Sequence, residues 1–191
     1  MRILLACFRS SLLHQALTAQ GHFVVSCDVQ LSIKKQRHLQ TDVLNIVNND
    51  WDMIIACPPC TYLSRAQIHY CIKSPERYKR SLEAVLFFRK IMESNCALIA
   101  CENPPGYLST LYRPWDALTQ PYYFGDPYFK ELCFWLKGLP PLLSTCINPK
   151  RKSTVNLGGG SMSKIDSSNA RSNWDNYPNF INAIVAQWGT L

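Results

Sequence analysis

Two short stretches of the chain combine residue types that carry chemistry: Cys57-Pro58-Pro59-Cys60 and Glu102-Asn103-Pro104-Pro105-Gly106. A thiol is a nucleophile only as its thiolate, and a free cysteine titrates near about 8.5. Cys60 therefore needs a cation, a helix N-terminus or a proton acceptor beside it. The two prolines stiffen its turn and hold the side chain at low entropic cost. Residues 61–64 read as the start of a helix whose N-terminal amides would point at the sulfur. Glu102 follows an apolar run, where an unpaired buried carboxylate is costly. At the end of that run it can be partly desolvated and can share a proton with a substrate. Two plainer readings stay open: the cysteines as small buried hydrophobes, and Glu102 as a surface acid capping the next helix.

The elements around these stretches must put them in one place. Residues 2–7 read as a buried strand, and His14 to Gly21 as a helix with Leu12, Leu13, Ala16 and Leu17 on its apolar side. His22 to Cys27 is a second strand, stopping at Asp28. Residues 29–37 are a polar, basic loop, and Val43 to Val47 a short helix. Asp52 to Ala56 is the clearest strand, and it must stop at the prolines, which cannot donate to a sheet ladder. Ser74-Pro75-Glu76 starts a helix running to about Ser94, with Leu82, Val85, Leu86 and Met92 expected inward. Ala97 to Cys101 and Leu132 to Leu136 are further strands. A last helix spans about Asn179 to Trp188, with Phe180, Ile184 and Val185 on one side. This alternation predicts an α/β fold: a mostly parallel sheet with helices on both faces. Ligands in such sheets sit beyond the carboxyl ends of the strands. Asp28, Cys57 to Cys60 and Glu102 to Pro105 should therefore converge on one edge.

Composition narrows the setting. The chain has 191 residues, a formal charge of +7 and nine cysteines. That length suits one domain, divided here into a core at 1–147, a polar segment at 148–176 and a C-terminal helix at 177–191 that packs back on the core. The cysteine share is below the roughly 8–10% of disulfide scaffolds, and an odd number excludes full internal pairing. The first residues hold too short an apolar run for a signal peptide, and no run approaches the length of a membrane span. A reducing, cytoplasmic setting with no membrane partner is the expectation. The charge permits a nucleic-acid partner. Arg65, Lys73, Arg77, Lys79, Arg80, Arg89 and Lys90 cluster after the cysteine turn. The first two are read as phosphate contacts and the last two as a solvated helix face. Lys150, Arg151, Lys152, Lys164 and Arg171 are read as a flexible basic arm or a solubilising tail.

Pro58-Pro59-Cys60 after one strand and Glu102-Asn103-Pro104 after the next resemble the two catalytic motifs of DNA cytosine-C5 methyltransferases, Pro-Pro-Cys-Gln and Glu-Asn-Val. The resemblance is closer to a small phage and prophage type. It extends to Met1–Cys7, Ser26-Cys27-Asp28, Gln40-Thr41-Asp42-Val43, Trp51–Ser64, Gln120-Pro121, Phe124-Gly125-Asp126-Pro127, Leu136–Pro140 and Gln187-Trp188-Gly189. It implies a Rossmann-like methyltransferase fold that uses S-adenosylmethionine to methylate C5 of a flipped cytosine in DNA. Cys60 would add to C6 and Glu102 would hold N3 and the exocyclic amine, with Lys130 as the remaining charge of a basic catalytic motif. Cys7, Phe8, Asp28, Asp42, Val43 and Pro58 would line the cofactor. Pro59, Tyr62, Ser64, Arg65, Asn103 and Pro104 would meet the substrate. No metal is implied. Protection of phage DNA in a host cytoplasm, as in restriction-modification, would be the purpose. A protein partner is a candidate for choosing the target, because residues 141–176 are too short and too polar for a recognition domain.

The chain departs from that pattern in two places. The turn Cys7-Phe8-Arg9-Ser10-Ser11-Leu12 has no glycine, whereas the phage type generally has Glu at position 8 and Gly at position 11. The Gln-x-Arg-x-Arg motif appears as Tyr128-Phe129-Lys130-Glu131-Leu132. A rival reading is a degenerate methyltransferase fold that binds DNA or a nucleotide without turnover. A third, a thiol–disulfide or zinc protein on Cys57 and Cys60, lacks a well-spaced second ligand pair, because Cys96 and Cys101 flank a predicted strand.

Overall fold

The computed structural model describes residues 1–8, 10–31, 36–146 and 174–191. The expected basic arm at Lys150, Arg151, Lys152, Lys164 and Arg171, and residues 148–173 of the polar segment, lie outside them. Seven strands form one sheet: β1 (Arg2–Ala6), β2 (Phe23–Asp28), β3 (His38–Gln40), β4 (Met53–Ala56), β5 (Leu98–Asn103), β6 (Ala117–Thr119) and β7 (Leu132–Lys137). Their spatial order is β3-β2-β1-β4-β5-β7-β6. β1 to β5 pair in parallel, and β7 lies antiparallel between β5 and β6. The chain is thus an α/β, Rossmann-like fold with a mostly parallel sheet.

Helices cover both faces, as a parallel sheet requires. On one face lie α1 (Ser11–Ala19) and α5 (Pro178–Trp188), burying Leu13, Leu17, Phe180, Ile181 and Trp188 against Ile3, Leu5 and Phe134. On the other lie α3 (Pro75–Met92) and the single turn α4 (Leu108–Leu111), burying Val85, Phe88, Ile91 and Leu108 against Leu4, Ile54 and Trp135. A short helix, α2 (Arg65–Ile72), precedes α3. Among the described residues no helix is long and apolar enough to cross a membrane.

Several expectations shift. α1 begins at Ser11, earlier than His14, because Ser10 caps it through Leu13 N. β3 and β6 were not anticipated; each is three residues long, too short to display a two-residue alternation. Residues 61–64 form a turn whose Leu63 and Ser64 amides donate to Cys60 O, and α2 starts only at Arg65. Leu82 and Leu86 do not face inward: they are 40% and 54% exposed. The buried line on α3 is Ser81, Val85, Phe88 and Met92, a rotation of about one residue from the expected stripe. Glu102 and Asn103 belong to β5 itself, held by pairing with Phe134 and Cys133. The last three residues of the polar segment, Trp174 to Asn176, form a 3₁₀ turn with Trp174 fully buried.

Candidate functional site

The two motif stretches meet because β4 and β5 are adjacent and parallel, with Ala56 level with Cys101. Past that level the Cys57–Cys60 turn and the Glu102–Gly106 stretch run side by side. Asn103 Nδ2 donates to Pro58 O at 2.9 Å. Arg65 N donates to Pro105 O and Tyr107 N to Leu63 O, each at 2.8 Å. Ser64 and Gly106 form an isolated antiparallel bridge. A Cβ on Gly106 would lie 1.9 Å from Leu63 O, so only glycine permits this approach. Cys60 is half-buried at the rim, Pro59 is exposed, and Pro58 and Asn103 are buried below.

Glu102 is buried, and burial is the main influence raising its pKa above the usual carboxylate range. The Lys130 charge and a hydrogen bond from the Cys57 thiol pull it partly back. Lys130, from the β6–β7 connection, feels the converse. Burial works against its ammonium, but Glu102 first, then Tyr177, Cys57 and Cys60, hold its pKa above normal. One cation thus serves both the carboxylate and the candidate nucleophile. Glu102 Oε1, Asn103 Oδ1 and Gln120 Oε1 are buried acceptors without a hydrogen-bond partner among the described residues. Each such atom costs about 1–3 kcal/mol, so acceptors left over here mark a place for a donor-bearing ligand.

The nine thiols separate by environment, and none is in a disulfide. Burial pushes Cys27 up to about 11 and Cys133 to about 12. It likewise raises Cys57, Cys96 and Cys101. These five and the buried Cys71 are packing residues. Cys7, Cys60 and Cys146 are half-exposed, and of these Cys60 is the one that adjoins the motif turn. No cluster of three or more metal-ligating side chains occurs among the described residues.

Where the two motif stretches join opens a cleft of about 570 Å³ lined by Ser64, Arg65, Ala66, Pro104, Pro105, Gln120, Phe129, Lys130 and Glu131; Cys60 is not on its lining. The expected substrate residues Ser64, Arg65 and Pro104 are on its wall. Tyr62 is not. Its ring lies beneath Arg77 and Arg80, 5.4 and 5.8 Å from the centroid, and its hydroxyl accepts from Arg80. Those arginines are engaged on the α2–α3 surface. Arg89 pairs with Glu93 at 2.6 Å and is exposed, the solvated helix face expected of it.

Of the expected cofactor residues, Pro58 lies in the turn after β4, and the others occupy the β1–β2–β3 end of the same sheet edge. Asp28 ends β2 and pairs in register with Gln40, and Asp42 follows two residues later as the cap of a 3₁₀ turn that buries Val43. Two carboxylates at neighbouring strand ends suit the hydroxyl and amino donors of a nucleoside, so that half of the expected cofactor fits. The β1–α1 turn differs. Cys7 takes a left-handed φ of 53°, a conformation easier for glycine. Phe8 is fully buried, its ring edge-on to Trp174 at 5.0 Å, so its side chain has no surface left for a cofactor. The amides at the start of α1 are already engaged. Asp175 accepts from Leu12 N at 2.9 Å, from Ser11 N at 3.4 Å and Ser11 Oγ at 3.2 Å, and also from Ser10 Oγ.

Sequence reasoning missed the residues that arrive from far along the chain. Asp175 lies among the last residues of the polar segment and Tyr177 follows it, and the Tyr177 ring lies 5.9 Å from Lys130 Nζ. Gln120 and Phe129 flank the cleft from the β6–β7 connection. Only the polar-aromatic texture Trp174-Asp175-Asn176-Tyr177-Pro178 hints at an ordered turn, and nothing local points it to α1.

No protein-family model matches the chain, and no curated protein matches it by sequence. Among solved structures it is similar to a protein of Escherichia coli described as a "putative DNA modification methyltransferase encoded within prophage". The two share 17% identity with a TM-score of 0.49, over 79% of this chain and 53% of that one. The chain therefore spans about half the length of that neighbour. Its own strand order, with the antiparallel β7 between β5 and β6, defines it as an α/β, Rossmann-like protein whose candidate site lies at the ends of β4 and β5.

Proposed function

We propose that the protein is a DNA cytosine-C5 methyltransferase-like enzyme acting through Cys60. The observation that carries this reading is the pair formed by half-exposed Cys60, in the turn after β4, and buried Glu102, on the adjacent strand β5, both within the field of Lys130. The Cys60 sulfur adds to C6 of a flipped cytosine. Glu102, whose raised pKa favours a retained proton, meets the ring N3 and accepts from the exocyclic amine, neutralising the charge that develops there. Lys130 favours the thiolate by its charge and limits the rise of Glu102. Loss of the C5 proton then expels Cys60 and restores the thiol. S-adenosylmethionine, when bound, supplies the methyl group that C5 accepts; Asp28 and Asp42 would hold its nucleoside half. Incubation with labelled S-adenosylmethionine and DNA should give labelled 5-methylcytosine. A 5-fluorocytosine duplex should form a covalent complex that Cys60→Ala cannot form. Absence of both label and complex across salt and DNA types would overturn the reading.

A second reading, a binding module without turnover, is favoured by one observation: Phe8 is in the core and Asp175 occupies the α1 amides, where an anionic ligand would otherwise bind. It predicts DNA retention with no calorimetric signal for S-adenosylmethionine. Measurable cofactor binding counts against it.

A further inference from the structure

Lys130 is the cation of the candidate site, yet its own segment does not fix where its charge sits. It lies in the irregular connection between β6 and β7, at the end of a flexible four-carbon stem. The ion pairs among the described residues are Arg80–Glu76, Arg89–Glu93 and Arg113–Asp116, so none ties Lys130 to Glu102. Lys130 acts on Glu102, Cys57 and Cys60 through space. A charge acting that way is only as strong as its distance allows. The contact the structure gives its ammonium is the Tyr177 ring, 5.9 Å from Nζ to the centroid and inside the roughly 6 Å reach of a cation–π contact. Burial works against the ammonium here, and shielding from water is the setting in which such a contact is strongest.

Tyr177 is itself held in place. It caps α5, its amide donates to Trp174 O at 2.8 Å, and its ring meets Tyr128 edge-on at 5.2 Å. It also packs against the core under α1 and α5. Asp126, from the same connection as Lys130, accepts from Asn179 N at 3.2 Å and Phe180 N at 2.8 Å. The connection and the start of α5 are thus joined on both sides of the ring. Burial favours the protonated phenol, so the cation meets a neutral aromatic face.

We propose that Tyr177 is a positioning residue: its ring face holds the Lys130 ammonium where it acts on both Cys60 and Glu102, so the start of α5 sets the reactivity of a thiol in the turn after β4. The proposal rests on the reading of Lys130 as the cation of the proposed enzyme and adds the residue that places it. The titratable groups facing Lys130 are Glu102 from β5, Cys57 and Cys60 from the turn after β4, and Tyr177. Those facing Tyr177 are Lys130, Tyr128, Glu102 and Asp126.

The test is the rate of Cys60 alkylation by iodoacetamide against pH, on the full chain without DNA or methyl donor, read at Cys60 by peptide mass spectrometry. Lys130→Gln should move the midpoint of that profile up, because the thiolate loses a cation. Tyr177→Leu, which keeps apolar bulk without a ring face, should move it the same way and slow alkylation at neutral pH about two- to fivefold. Tyr177→Phe, which keeps the face, should restore the wild-type profile. In a Lys130→Gln background Tyr177→Leu should add nothing, whereas a merely structural role would move the profile with or without Lys130. Phenylalanines of increasing fluorination at position 177 drain the ring face at nearly constant shape. The midpoint should climb along that series, which decides the matter even if Tyr177→Leu does not fold. The proposal is overturned by Lys130→Gln with a wild-type profile, by a flat fluorinated series, by Tyr177→Phe that behaves as Tyr177→Leu, or by Tyr177→Leu that keeps its full effect without Lys130. Alkylation needs no turnover, so the two ideas fail separately. Tyr177-dependent Cys60 reactivity without methylation sinks only the enzymatic reading, and methylation with a flat series sinks only the positioning role.

Discussion

The two ends of the sheet's carboxyl edge are built to opposite rules. At β4 and β5, Glu102, Asn103 and nearby Gln120 each keep a buried acceptor unanswered. At β1, the amides of Ser11, Leu12 and Leu13 all have acceptors, from Asp175 and Ser10, and Phe8 is sealed into the core. The first end is a site waiting for donors. The second is closed by the protein's own residues. The same device recurs nearby: Asp126, fully buried, accepts from Asn179 N and Phe180 N and caps α5. Charged caps of this kind tie distant segments together and bring Trp174 and Tyr177 to the sheet. The contrast lies in the kind of group left unmet among the described residues: carboxylate and amide acceptors cluster at the first end, whereas the second leaves ring nitrogens of His14 and Trp174 unmet and has its helix amides answered.

The contrast can be broken or sharpened by substitution, and the largest effect should come from the open end. Cys60→Ala should abolish covalent trapping while leaving the thermal midpoint within a few degrees of wild type, since the side chain is half-exposed. Unfolding of this variant in a melting scan would mean that Cys60 is packing. Glu102→Gln should lower the rate of methyl transfer by about 10²–10⁴-fold, read by label incorporation, with little loss of stability because a costly buried carboxylate is removed.

The join between the two motif loops comes next. Gly106→Ala forces the Leu63 carbonyl aside and should cost about 1–3 kcal/mol in urea unfolding. It should also disturb trapping, because the same contact sets the Cys60 turn. At the closed end, Asp175→Asn should cost about 0.5–2 kcal/mol, as loss of a helix cap does. It should leave DNA retention unaltered, and a shift in DNA affinity would break the separation of the two ends.

The smallest effect is a pH dependence. Glu102 is raised above its unfolded value, so the folded state holds its proton longer than the unfolded state does. Its contribution is therefore fully present below the ordinary carboxylate range and is lost as pH rises through the raised value. Wild type should lose a little stability over that interval. Glu102→Gln should not, and Lys130→Gln should push the interval to higher pH, because the nearby cation no longer favours the carboxylate.

Much of this was legible from residue types alone. The apolar runs ending at Cys57 and near Glu102, with their prolines, announce two strands and the loops beyond them, because proline cannot continue a ladder. Parallel α/β topology then requires those loops to share an edge. α3's buried face was missed by one residue, since Leu82 and Leu86 read as core by type but are turned outward by the line Ser81, Val85, Phe88 and Met92. A stripe on a helix with apolar residues on neighbouring positions is ambiguous until its partner surface is known.

The order of Cys60 and Glu102 along the chain, the two strands that present them and the edge where they meet were determined by sequence, because strand periodicity and proline act locally. Tertiary structure alone decided what surrounds them. Lys130 acts by its charge on both Cys60 and Glu102, Tyr177 stands beside Lys130, and Asp175 closes α1. Gln120 keeps an unmet acceptor, and Phe129 stacks on Tyr122 at the cleft. Each of these depends on segments far apart in sequence coming within a few ångströms, where burial and charge act through space and leave no local pattern to read.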